Sequence, residues 1–359
     1  MKKTPRTASE YKQQHDPATI ILQLRAELVQ AKAEAINATV IRDIIGTAKL
    51  ETEKLRVPEW VLKPSITSDA PGVPNLMLSD LHWGERVKRE QVNGVNEFDL
   101  AIARRRLRTV IEKTTKLCKI LDPAMRYPGI VVKLGGDMVG GNIHDELVAT
   151  NEANIMPVML DLYRNLVPAI SMLADVFGNV FLPCVSGNHD RDTKKTWHKD
   201  RNDTSFGWLL YQFLAERFAG DKRITFYIPD SADALYRVYN TRILLTHGDQ
   251  FRAGDSIIGA IGPLMRGGQK KLQRNAAVGQ QFDIMECGHW HQRIVLQNLM
   301  VNSSLKGYDE YAADNNYRFE PPSQNLCTIH PDIGVNWAMP VLCDKPEPRG
   351  AAEWVSVPK

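Results

Sequence analysis

Between residues 16 and 57, apolar side chains recur at helical spacing. Ile21, Leu24, Leu28, Ala31, Ala35 and Ala38 follow one another at intervals of three and four, and Ile41 and Ile45 extend the stripe. Asp16-Pro17 reads as an N-cap and first helical position, and Pro58 ends the pattern. The expectation is an N-terminal polar segment and amphipathic helical arm over residues 1–65, packed on its own domain or used for self-association or partner docking.

Beyond Pro64 the period changes. Short apolar runs at 76–78, 130–132, 180–182, 224–228, 235–239, 243–245, 282–287, 294–296, 327–330 and 335–341 read as strands. Helical periodicity over 98–121, with an Arg-rich face at Arg104, Arg105, Arg106 and Arg108, over 145–177 with kinks near Pro157 and Pro168, and over 205–218 separates the early strands. Alternating strands and helices followed by more strands predict one α/β layered domain over about 70–345, with a tail at 346–359. Residues 303–322 read as a loop on the way to the last strands.

Composition changes this picture little. The chain has 359 residues, 24% of them charged and 43% hydrophobic, which excludes a disordered chain, a collagen-like fibre and a disulfide scaffold. The five cysteines form no C-x-x-C pair and read as buried reduced thiols. No apolar run is long enough to span a membrane, and the basic residues at the start lead into no signal-peptide core, so the cytoplasm is the expected location. The net charge of +3 conceals two basic stretches: residues 191–201 carry +3 and residues 252–274 carry +4.

The chemistry lies at the ends of the expected strands. Asp80 and His82 follow the first, Gly135-Gly136-Asp137 the second and Gly187-Asn188-His189-Asp190 the third. His247 follows the run at 243–245, and Gly288-His289-Trp290-His291 the run at 282–287. Ligands bind at the carboxyl ends of strands in α/β sheets, so five loops from one sheet edge can converge. Asp80, His82, Asp137, Asn188, His247, His289 and His291 are then seven oxygen and nitrogen donors, a number suited to two divalent cations sharing one carboxylate. Imidazole and carboxylate suit Mn, and also Zn, Fe, Ni or Co. Glycines before Asp137, Asn188 and His289 let the backbone turn sharply there.

The ordered series D-x-H, G-G-D, G-N-H-D, H-G-D and G-H-x-H resembles the calcineurin-like metallophosphoesterase superfamily over about residues 74–300. The resemblance implies a four-layer αββα sandwich with a dinuclear metal centre between the sheets. It implies one metal held by Asp80, His82, Asp137 and His291, and a second held by Asp137, Asn188, His247 and His289, with Asp137 bridging. His189 would face the substrate as the catalytic histidine, and Asp190 or another carboxylate would orient it. Two such metals activate a bridging hydroxide for in-line attack on a phosphoester. The D-R of the phosphoprotein phosphatase pattern is missing after Asp137-Met138-Val139. The G-N-H-D and G-H-x-H forms are similar to SbcD-type DNA-repair nucleases and to phosphodiesterase branches.

The basic stretches flank these motifs, and a basic rim beside a phosphoester site suits a nucleic-acid backbone. Arg191, Lys194, Lys195, Trp197, Arg252, Lys270 and Lys271 are the candidate substrate contacts, with Trp83 and Trp197 as stacking platforms and His144 as a further residue near the phosphate. DNA is the expected substrate. A nucleotide or other small phosphodiester is the alternative within the same chemistry. A scaffold or accessory subunit of a DNA-processing complex is the non-enzymatic alternative.

Overall fold

The computed structural model describes residues 57–63, 72–251 and 261–344. The helical arm expected over 1–65, apart from 57–63, Arg252 and the tail at 346–359 lie outside the described residues. The apolar runs form two sheets. The first contains β1 (Val73–Leu78), β2 (Ile130–Leu134), β3 (Val180–Pro183), β4 (Ile224–Tyr227), β10 (Ser323–His330) and β11 (Gly334–Leu342), in the order β11-β10-β1-β2-β3-β4. The second contains β5 (Asp233–Val238), β6 (Thr241–Thr246), β7 (Ile284–Cys287), β8 (Ile294–Leu296) and β9 (Leu299–Val301), in the order β5-β6-β7-β9-β8. Strands β1 to β4 are mutually parallel, as are β6, β7 and β9.

Period-two alternation assigns each side chain a layer. In the first sheet Leu76, Leu78, Ile130, Val132, Leu134, Val180 and Leu182 face the helices α1 (Leu100–Leu121), α3 (Ile155–Phe177) and α4 (Phe206–Arg217). Their neighbours Val73, Met77, Val131 and Phe181 face Tyr236, Ile243, Leu245 and Ile284 of the second sheet. Leu244, Met285, Leu299 and Val301 point away again, onto Leu264 of α5 (Ile261–Ala277). Helices, sheet, sheet and helix make the expected αββα sandwich. The central strands are buried on both faces, which is why they read as continuous apolar runs.

Two opposite charges stand in the layer between the sheets. Lys133 of β2 and Glu286 of β7 both face the inter-sheet layer, are each 1% exposed, and form an ion pair across it. Such a pair is justified only when both charges are present, because either one alone is left desolvated without compensation.

Local details depart from the expected pattern. Asp99 caps α1 by accepting from the Ile102 amide, so the helix starts after Phe98. The helix expected over 145–177 is divided into α2 (Asp145–Thr150) and α3, with the break at 151–154. Pro157 lies in the first turn of α3, where a missing N–H is tolerated, and α3 continues through Pro168. Arg106 turns inward to the Leu305 and Lys306 carbonyls and to Asp344, leaving the exposed face. The basic stretch after residue 260 is helical, and β9 (Leu299-Met300-Val301), although wholly apolar, is not among the expected strands. The five cysteines are buried and unbridged. Among the described residues no helix is long and apolar enough to cross a membrane.

Replacing Lys133 with Met should lower unfolding stability by about 3–5 kcal/mol, because Glu286 is left buried and unpaired. The double variant Lys133→Met/Glu286→Leu should recover most of that loss in urea unfolding. Equal losses in the single and double variants would show that the two charges are uncoupled.

Candidate metal centre

The strand ends meet in space, and from both sheets. Asp80 and His82 follow β1, Asp137 follows β2, and Asn188 and His189 lie in the loop after β3. His247 follows β6, and His289 and His291 follow β7. The expectation of a single sheet edge is corrected: three loops come from the first sheet and two from the second. The loops pair with each other beyond the strands. The amides of Asp80, His82 and Trp83 donate to the carbonyls of Gly136, Asp137 and Met138, and the Gly288 amide donates to the His247 carbonyl.

The seven expected donors form two adjoining groups. Ligand atoms of Asp80, His82 and His291 lie within 4.8 Å of one another, as do those of Asp137, His247 and His289. Asp137 Oδ2 connects the groups, 3.0 Å from His247 Nε2 and 4.0 Å from His82 Nε2. Asn188 Oδ1 faces His247 Nε2 at 3.1 Å. His82 Nε2 faces His291 Nε2 at 2.9 Å, and His291 Nε2 lies 3.5 Å from Asp80 Oδ1.

The other edge of two imidazoles is pinned. His82 Nδ1 lies 2.6 Å from Glu85 Oε1, and His247 Nδ1 lies 2.9 Å from the Gly135 carbonyl. Acceptors at Nδ1 fix each ring so that its Nε2 edge faces the centre, the orientation that metal-bound histidines need. The remaining carboxylate oxygens are also held. Asp80 Oδ1 accepts from the His289 amide and Asp137 Oδ1 from the His189 amide, both at 2.7 Å. Buried imidazole nitrogens aimed at buried carboxylate oxygens are a donor set that fits divalent cations.

Electrostatics follow from crowding these groups together. Burial opposes ionisation of Asp137, but His247 and His189 hold its carboxyl well below the usual range. Burial likewise opposes ionisation of Asp80, yet His291 keeps its carboxyl low. Burial alone would depress His247, but Asp137 holds it up at about 10. Burial depresses His82 and His289 to about 4. The site therefore holds its carboxylates as anions and two of its imidazoles neutral, which are the ligand forms a cation requires.

The backbone is strained at these positions. Asp80, His82, Asp137, His289 and His291 all have φ between 46° and 68°, and they are half of the positive-φ non-glycine residues among the described residues. Each costs on the order of 1–3 kcal/mol, a cost that clusters at functional sites. The glycines beside them serve close approach more than turning. A Cβ on Gly187 would lie 2.1 Å from Asp137 Oδ1, and one on Gly288 would lie 2.2 Å from Asp80 Oδ2.

Asp190 has a different task from the one considered for it. Its carboxylate accepts from the amides of Asp137, Met138, Val139 and Gly187, at 2.8 to 3.4 Å, tying the loop after β2 to the loop after β3. Burial and the Asp137 charge push its carboxyl up to about 6. The His189 ring instead donates from Nδ1 to the Gly140 carbonyl at 2.8 Å, with Glu85 Oε1 at 3.7 Å. Glu85 went unrecognised in the sequence, although it stands three residues after His82. Lys306, also unrecognised, is buried and bonds Glu85 Oε2 at 2.7 Å and Asp309 Oδ2 at 2.6 Å.

A cleft of about 600 Å³ opens over the centre. His189 and His144 line it, their rings edge-on at 6.0 Å. Among the described residues, the expected substrate contacts do not line it. Lys271 is buried and, with Arg274, paired to Asp233. The Arg191 guanidinium donates to the carbonyls of Asn188, Thr193 and Lys194. Lys194 pairs with Asp145 on the surface. Lys195, Trp197 and Lys270 are exposed away from the cleft. Trp83 is 1% exposed, and its Nε1–H donates to Asp161, so it stacks on no substrate.

No protein-family model and no curated protein matches the chain. Solved structures do. Vacuolar protein sorting 29 from Cryptosporidium parvum is 13% identical, covering 75% of this chain and 97% of its own, with a TM-score of 0.30. The wild-type protein of the same name from Entamoeba histolytica, complexed with zinc, is 14% identical, covering 75% of this chain and 99% of its own, with a TM-score of 0.31. A Streptococcus pneumoniae protein described as a predicted phosphoesterase is 11% identical, covering 75% and 96%, with a TM-score of 0.26. At such scores these likenesses carry no argument about the site, whose chemistry rests on its own residues.

Proposed function

We propose that this chain is a metal-dependent phosphoesterase of the calcineurin-like metallophosphoesterase kind, acting on phosphodiesters that carry nucleosides, DNA ends included. The observation that carries this reading is the pair of buried Asp/His groups joined through Asp137 at the floor of a cleft. Asp80, His82, Asp137 and His291 would hold one divalent cation, and Asp137, Asn188, His247 and His289 the other, with Mn the first candidate and Zn, Fe, Ni or Co compatible. Two cations so held would polarise phosphoryl oxygens and lower the pKa of a water nucleophile.

The chain's own residues do the rest. Glu85 and the Gly135 carbonyl orient the imidazoles of His82 and His247. His189 is not needed as a ligand. Its Nδ1–H is occupied by Gly140, so Nε2 is the atom free to exchange a proton with a leaving oxygen. The ring is 17% exposed and stands edge-on to His82 at 4.7 Å, beside the centre and open to the cleft. Because Lys271 and Arg274 are both engaged by Asp233 and the Arg191 guanidinium is spent on its own loop, a continuous basic track for duplex DNA gains little support. A cleft of this size suits one nucleotide or a strand end.

The metal-free chain should hydrolyse no phosphodiester, and added Mn should restore turnover. Asp137→Asn should lose both bound metal and turnover. Failure of every divalent cation to support hydrolysis, with metal bound at full stoichiometry, would favour the scaffold reading. His189→Ala should keep its metal content while turnover falls by about 10²–10⁴-fold. Unchanged turnover in that variant would remove His189 from the mechanism.

A further inference from the structure

The cleft has a wall that the metal chemistry leaves unexplained. It is built by residues 307–320, the segment between β9 and β10, and it carries Tyr308, Tyr311 and Tyr317. Tyr311 is 65% exposed and Tyr317 38%, although both are large aromatic rings. They meet edge to face, centroids 5.9 Å apart at 82°, so the contact covers only one of their four ring faces, and both rings line the cleft. Tyr308 is seated behind them, edge-on to Phe319 at 5.6 Å. Exposed aromatic faces grouped beside a polar site mark a binding surface, because a lone surface ring gains nothing from such company.

This wall is tied rigidly to the metal centre. Asp309 Oδ1 caps α6 (Glu310–Asp314), which carries Tyr311, by accepting from the Ala312 amide at 2.9 Å. Asp309 Oδ2 holds Lys306, Lys306 holds Glu85, and Glu85 holds the His82 imidazole. Asn96 Nδ2 donates to the Lys306 and Tyr308 carbonyls, which anchors the start of the segment. Three links thus separate α6 from the His82 imidazole, so the wall is tied to the proposed metal centre.

Three cations border the wall. Arg86, Lys88 and Arg318 line the cleft and are exposed, and none has a carboxylate within ion-pair distance among the described residues. They are balanced by acidic cleft residues such as Glu146 and Glu310, so the cleft as a whole is not a polyanion track. Flat aromatic faces beside a few free cations fit a ring joined to a phosphate.

Resting on the phosphoesterase reading above, we propose that Tyr311 and Tyr317 form a nucleobase subsite that makes this site selective for nucleoside-bearing phosphodiesters. Base stacking on such rings tolerates any base, because each base has a π-face, so the subsite selects nucleotides as a class and not a sequence.

The test compares a deoxydinucleotide with the same diester in which both bases are replaced by hydrogen, using the full chain with Mn and product analysis by chromatography. The wild type should prefer the base-bearing diester in kcat/KM by about tenfold or more, the range expected from stacking. Tyr311→Ala and Tyr317→Ala should collapse that preference through KM, and Tyr311→Phe should retain it. Equal use of both diesters by the wild type, or a preference untouched by the alanine variants, would overturn the subsite while leaving the phosphoesterase standing. Calorimetric binding of thymidine 5′-monophosphate against deoxyribose 5-phosphate supplies a readout free of turnover. Preference for the nucleotide, lost in the alanine variants of a chain that hydrolyses nothing, would keep the subsite and discard the phosphoesterase.

Discussion

Within the apolar layer that joins the two sheets, one buried charge pair lies directly beneath the metal centre and favours a single registration of the strands that carry its ligands. Lys133 stands four residues before Asp137 on β2, and Glu286 stands three before His289 on β7. The strands that end in the two groups of ligands are therefore fastened to each other one step beneath them. Apolar packing between sheets is non-directional and tolerates sliding, whereas a desolvated ion pair has one good geometry. A shift between the sheets would separate Asp137 from His247, and with them the two halves of the site.

Above that pair, the loops are organised by carboxylates that collect backbone amides. Asp190 gathers amides from the loops after β2 and β3, and Asp80 and Asp137 each accept one from a neighbouring loop. These bonds hold the amides of Asp137 and His289, two of the five ligand positions that stand at positive φ, a conformation that side-chain-bearing residues otherwise avoid. The rigidity is useful chemically, since preorganised ligands need not reorganise when charge develops on a phosphoryl group.

A second network runs outward from the same centre. Glu85, Lys306 and Asp309 are buried charges paired in series, each satisfying the next. Burial opposes the Lys306 charge, but Asp309 and Glu85 push its pKa up, and Glu85 is held low by His82 and Lys306 against burial. The network thus fixes the His82 imidazole at one end and the tyrosine-bearing wall of the cleft at the other. Recognition and metal binding share one scaffold of charges.

Much of this was legible in the chain itself. Strand ends carrying D-x-H, G-G-D, G-N-H-D, H-G and G-H-x-H are local patterns, and local patterns survive in one dimension because spacing along a strand sets which side a residue faces. The layered α/β architecture and the seven converging donors follow from them. Pairing between distant segments does not. Glu85 and Lys306 are separated by 221 residues, and nothing near either one names the other. Basic residues counted by stretch looked like a rim, yet Lys271 and Arg274 both pair with Asp233 on β5, because α5 packs over the second sheet. Trp83 looked available for stacking and is core, since the loop after β1 turns it toward α3. The sequence by itself determined which residues could ligate a metal. The order of strands across two sheets decided which charges remain free, which carboxylate orients His82, and which aromatic rings reach the cleft, because those outcomes depend on contacts between segments that only folding brings together.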